Sequence, residues 1–92
     1  MILDNKEMNL NLLQEECAEL IQAVSKIRRF GLRFQNPLTN ETNRESLIQE
    51  LEDVQIFMDA VKEDYEITTK ESNDAYMRKM RKLRTWYNKK SS

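Results

Sequence analysis

Apolar residues recur along this chain at intervals of three and four, and one stretch interrupts the rhythm. Leu10, Leu13, Cys17, Leu20 with Ile21, Val24 and Ile27 fall on one side of a helix, because positions three and four apart are neighbours on a helical surface. Leu47, Leu51, Val54, Met58, Val61 and Tyr65 repeat the pattern, with Phe57 beside them. Tyr76, Met80, Leu83 and Tyr87 form a third stripe, flanked by Trp86. Three helices are predicted, over about residues 4–30, 43–65 and 69–89.

The polar punctuation agrees with these boundaries. Asp4 with Glu7, Thr42 with Glu45, and Thr68 with Glu71 each have capping-box spacing, in which two side chains satisfy the free amides of a helix start. The only glycine, Gly31, suits the position just past the first helix, where a positive φ is needed. Residues 31–42 also hold the only proline, Pro37, and are expected to form a loop. Its Leu32, Phe34 and Leu38 are expected to fold back onto the body or onto a partner. The short link at 66–68 favours antiparallel packing of the second and third helices. The expected fold class is all-α, an antiparallel helical bundle completed by oligomerisation.

Size and composition sharpen that expectation. The 92 residues suffice for one domain, 1–92. A domain this small buries only about 60–65% of its unfolded surface, so a homodimer or homotetramer is expected to supply further burial. Cys17 is the single cysteine, cannot form an internal disulfide, and reads as a small buried hydrophobe in a reducing compartment. The opening MILDNKEM lacks the pattern of a signal peptide, and no stretch approaches ~18 apolar residues, so a cytoplasmic protein without a membrane partner is expected. The net charge of -1 conceals a division. Residues 1–76 carry 8 Lys/Arg against 16 Asp/Glu, whereas residues 77–92 carry 7 basic residues and no acid. Cations suit a helix C-terminus, and those not needed there are available to bind anions.

Five acids give the chain its candidate chemistry. Glu15, Glu16 and Glu19 lie on the first helix, Glu50 and Asp53 on the second. At about 100° per residue, Glu16 and Glu50 are expected at the margins of their apolar stripes, with Glu19 and Asp53 about 60° further out. If those margins face each other, four carboxylates converge, and like charges so close require a proton or a cation. Oxygen ligands suit Mg²⁺, with Mn²⁺ as the alternative. The absence of histidine excludes the usual zinc sites and the serine triad. Carboxylate-held Mg²⁺ points to phosphoryl or nucleotidyl transfer. Glu15 reads as a group outside the first ring of ligands, as a ligand of a second ion, or as simply exposed.

The pattern E15-E16-C-A-E19 followed by E50-L-E-D53, within LLQEECAELIQAVSKI and LIQELEDVQIFMDAV, resembles the signature of the all-alpha nucleoside triphosphate pyrophosphohydrolases, the MazG-like superfamily. The likeness spans about residues 8–88. It implies Glu16, Glu19, Glu50 and Asp53 as metal ligands, with Glu16 or Glu15 taking a proton from the attacking water. It further implies attack on the α-phosphorus of a nucleoside triphosphate, releasing a monophosphate and pyrophosphate. Lys79 best matches the residue that neutralises the leaving group, with Lys82 and then Arg78 behind it. Arg28, Arg29 and Arg33 form a second basic group, and Phe34, Tyr76, Trp86 or Tyr87 could stack on the base. Two departures stand out: thirty residues separate Glu19 from Glu50, and Leu83 stands where some relatives carry asparagine. The alternative is a catalytically silent oligomerisation or adaptor module of the same fold. Nucleic acid is not an expected partner, because most of the chain is acidic.

Overall fold

A computed structural model describes residues 4–91; Met1 to Leu3, which begin the MILDNKEM stretch, and Ser92 lie outside the described residues. Three helices follow in order, α1 (Lys6–Phe30), α2 (Asn43–Asp64) and α3 (Thr69–Ser91). Two of the three starts are the capping boxes read from the sequence. The Thr42 hydroxyl accepts from the Glu45 N–H (3.1 Å) and the Glu45 carboxylate accepts from the Thr42 N–H (3.0 Å). Thr68 and Glu71 repeat the exchange at 3.1 and 2.9 Å. α1 starts later than the Asp4 box suggests, because Asn5 is its cap and its side-chain oxygen accepts from the Met8 N–H at 2.9 Å. At the other end Gly31 donates to the Ile27 carbonyl at φ 93°, and open space surrounds its α-carbon, so the backbone angle is what calls for glycine.

α1 and α2 form an antiparallel hairpin pinned at both ends by asparagines. At one end the Asn9 amide donates to Asp64 at 2.8 Å. At the other, the Asn43 amide donates to the carbonyls of Gly31 (2.9 Å) and Lys26 (3.4 Å). The 31–42 loop folds back as expected through the backbone: Asn43 N–H bonds Phe34 O and Arg44 N–H bonds Leu32 O. Phe34 stacks on Phe30 with centroids 5.1 Å apart. Leu38, by contrast, is 92% exposed at the tip.

The row that α1 turns toward α2 is Asn9, Leu13, Glu16, Leu20, Ala23 and Ile27, all buried or half-buried. The facing row on α2 is Asn43, Leu47, Glu50, Val54, Phe57, Val61 and Asp64. Steps of four and three alternate along both, the spacing of a two-helix seam. This overturns the placement of the core on the Cys17–Val24 stripe. That stripe lies about 100° round from Glu16 and faces outward: Ile21 is 70% exposed, Val24 is exposed and Cys17 only half-buried. Small Ala23 and Ala60, both buried, allow close approach on the Glu16 side, and the asparagine pins fix that register.

α3 packs against neither α1 nor α2. The link turns through Glu66 at φ 52°, and α3 leaves at an angle instead of folding back, so the short connection does not produce the expected antiparallel pair. The chain is an open shape of 50 × 44 × 15 Å. Its radius of gyration, 16.8 Å, exceeds the roughly 12 Å of a compact chain this long. Replacing Thr42 by alanine removes the α2 cap and should cost about 1 kcal/mol, measured as a lower urea midpoint with unchanged slope.

Candidate metal centre

The middle of the α1–α2 seam is acidic. Glu16 from α1 and Glu50 with Asp53 from α2 each offer a carboxylate oxygen, and the three lie within 4.8 Å of one another. The Oε2 atoms of Glu16 and Glu50 are buried and have no hydrogen-bond partner. Asp53 is held differently, its Oδ1 accepting from the Gln49 amide one turn earlier at 2.9 Å. Glu19 lies outside the trio and is exposed, though its charge bears on Glu50. Glu15 is exposed as well.

Both seam glutamates hold protons more tightly than usual. Glu50 is pushed up to about 7, by burial first, then by the charge of Glu19, a hydrogen bond with Glu16, and the charges of Glu16 and Asp53. Glu16 is also raised, by burial and then by Asp53, while the hydrogen bond to Glu50 opposes the shift. The pair as a whole therefore holds a proton more tightly than two separate carboxylates would. The charges acting on these two groups are all acidic; among the described residues no lysine or arginine offsets them.

The donor set fits a hard divalent cation. Two buried, unpartnered carboxylate oxygens are what an oxygen-coordinated ion satisfies. Ligands of an octahedral Mg²⁺ stand about 3 Å apart when adjacent and about 4.2 Å when opposite, so the three side chains would draw together around an ion. Glu16, Glu50 and Asp53 would hold the ion, with Glu19 at the rim.

The basic residues expected at the site are not beside it in one chain. Lys79, Lys82 and Trp86 are on α3, where Arg78, Arg81, Lys82, Thr85, Trp86 and Lys89 line a shallow basic groove. Lys90 sits 5.5 Å over the Trp86 ring. Arg33 is exposed in the loop, while Arg29 lies 5.3 Å over Phe30 and lines a cleft with Lys26, Phe34 and Asn36 at the loop end of the hairpin. Sequence reasoning missed Gln49, Asn9 and Asn43. Their signal was available: Gln49 is four residues before Asp53, and the asparagines continue the four-three spacing beyond its apolar members.

Compared with family models, with curated proteins and with solved structures, the chain gives no match.

The raised Glu50 makes metal-free stability depend on pH. Between the ordinary value of 4.5 and about 7 the folded state binds more protons than the unfolded chain. Stability should thus fall as pH rises through that window and level off above it. In chelator, Glu50→Gln should flatten this slope and raise the melting temperature at pH 8, as measured by thermal melts across the range.

Proposed function

We propose that this protein is a Mg²⁺-dependent nucleoside triphosphate pyrophosphohydrolase, with Mn²⁺ as an alternative ion, converting a (d)NTP to a (d)NMP and pyrophosphate. The observation that carries the metal reading is the buried, unpartnered pair of carboxylate oxygens on Glu16 and Glu50, with Asp53 alongside and no neutralising base. The nucleotide reading rests on the resemblance of the two acidic motifs to those of the MazG-like enzymes.

When bound, the ion supplies charge for substrate phosphates and lowers the pKa of a nearby water. The chain's own residues divide the remaining work. Glu16, Glu50 and Asp53 grip the cation, and Gln49 fixes Asp53 so that its second oxygen stays available. Glu16 faces the seam, so exposed Glu15 is the better placed of the two to take a proton from the attacking water. Glu19, one turn from Glu15, adds a carboxylate at the rim. Lys79, with Lys82 behind it, would neutralise the leaving pyrophosphate, Arg29 and Arg33 would meet the phosphate tail, and Trp86 would stack on the base. Because α3 stands clear of its own chain's carboxylates, Lys79, Lys82 and Trp86 would act from another copy in a homodimer or homotetramer, reaching the site from the side of Glu19 and Asp53.

One observation favours the second reading, a silent oligomerisation or adaptor module: α3 carries an aromatic and apolar stripe unsupported by its own chain. Cation binding separates the two. Calorimetric titration with Mg²⁺ should show saturable binding that strengthens as pH rises to about 7, because the ion competes with the Glu50 proton, and then changes little. Glu50→Gln should abolish binding with helicity retained. A panel of (d)NTPs with Mg²⁺ should yield pyrophosphate, not orthophosphate, and Glu50→Gln should reduce turnover at least about 100-fold. A folded protein that binds Mg²⁺ yet turns over none of the panel would refute the enzyme reading and leave the metal site standing.

A further inference from the structure

The acid excess of this chain ends abruptly. Asp74 is the last acid in the sequence and is engaged by Lys70 at 2.9 Å; beyond it stand 7 bases. Four of these share one side of α3. Arg78, Arg81, Lys82, Thr85, Trp86 and Lys89 line a shallow groove of about 460 Å³, and all six are exposed. At about 100° per residue, Arg78, Arg81, Thr85 and Lys89 centre roughly 180° from the stripe of Tyr76, Met80, Leu83 and Tyr87. Lys82 and Trp86 stand at the edge of that row, on the side toward Lys79. Whatever covers the apolar stripe thus leaves the basic row facing outward.

The groove is open and only one helix deep, so a small anion would meet it from a single side and share it with water. A polymer of phosphates gains from the length of the row instead. Arg78 and Lys89 are about 16 Å apart along the helix at 1.5 Å per residue, a length over which one nucleic-acid strand presents about five phosphates at 3.4 Å each. Arginine forks and the Thr85 hydroxyl are donors suited to phosphate oxygens. Trp86, 58% exposed, offers a ring on which a base can stack, a contact that an acidic peptide or a lipid headgroup does not make. A membrane surface fits poorly for a second reason. An interfacial helix buries its apolar stripe, which would aim the opposite row away from the headgroups. The acids of α1 and α2 do not cancel the row. α3 packs against neither helix, and Arg78 lies about 13 Å along α3 from Thr69, beyond the ~8 Å over which exposed charges act at physiological salt.

We propose that the outward face of α3 binds the phosphate backbone of a nucleic-acid strand without reading its sequence, with Trp86 against a base at the groove's edge. Arg78, Arg81, Lys82 and Lys89 supply the charge, and Thr85 donates between them. This revises the expectation drawn from overall charge, because the total averages two segments of opposite sign. The binding uses none of the seam carboxylates and holds whether or not the protein is an enzyme. The groove shares Lys82 and Trp86 with the proposed nucleotide contacts, whereas Arg81 and Lys89 belong to the groove alone.

The test uses the full chain in chelator, with a labelled oligothymidylate of about 20 nucleotides at about 50 mM salt. Anisotropy should report saturable binding whose log affinity falls against log salt with a slope of about -3, the counterion release of four contacts to a single strand. Arg81→Gln combined with Lys89→Gln should weaken binding at least about tenfold and make the slope shallower by about 1.4, the share of two contacts. Arg28→Gln combined with Arg44→Gln removes the same charge from exposed positions on α1 and α2, and should leave affinity within about twofold of wild type. Emission from Trp86, the only tryptophan, should be quenched as the strand binds. Absence of saturable binding, equal weakening by the two pairs of substitutions, unquenched Trp86, or equally tight binding to polyglutamate or to phosphatidylserine vesicles overturns the proposal.

Discussion

Glu16 and Glu50 occupy positions in a two-helix seam where leucine or isoleucine would ordinarily interlock. Two facing carboxylates there repel each other, and each has an oxygen shut away from water without a donor. The hairpin tolerates this because its ends are tied by Asn9 to Asp64 and by Asn43 to the carbonyls of Lys26 and Gly31. The middle is then strained electrostatically and fixed geometrically. A proton relieves it in part, and a divalent cation relieves it more fully, since one ion neutralises two carboxylates and supplies a partner to each buried oxygen. Whatever neutralises the pair is thus a component of the fold as well as of any chemistry, and its binding is coupled to the stability of α1 and α2 together.

The same choice of seam determines what is left outside. By docking on the row that includes Glu16, α2 leaves the most apolar side of α1 without cover. A hairpin with acid in its middle thus carries exposed apolar side chains such as Ile21 and Leu51 on its back. α3, which the sequence suggests as the third member of a bundle, does not repair this, because its link directs it outward. Polar closure within the hairpin and apolar incompleteness of the chain are therefore two consequences of one packing decision.

Much of this was legible in the residues. The three helices, the boxes at Thr42–Glu45 and Thr68–Glu71 and the break at Gly31 follow from local rules, and the structure reproduces each; of the four carboxylates expected to converge it groups Glu16, Glu50 and Asp53 and leaves Glu19 outside. Local rules did not settle which side of α1 meets α2. Counting apolar residues selects the Cys17 side, whereas the structure selects the side with buried Ala23, the side on which Asn9 and Asn43 find their partners. The acids were consequently read as marginal when they are central. The placement of α3 was also beyond local reading, since the direction in which a short link sends a helix depends on which surfaces are available to receive it.

The two flanks of the hairpin bring these points together. On α1 the apolar Cys17 lies about 100° to one side of Glu16 and Glu19 about 60° to the other. On α2 Leu51 and Asp53 stand in the same relation to Glu50. In an antiparallel pair equal rotations fall on the same side, so Cys17 and Leu51 share one face of the hairpin and Glu19 and Asp53 share the opposite one. A partner that covers the apolar face therefore leaves the carboxylate mouth open to solvent. Burial of the back would strengthen the hairpin that holds Glu16 against Glu50, while the front, with exposed Glu19 at its edge, would stay accessible to a cation.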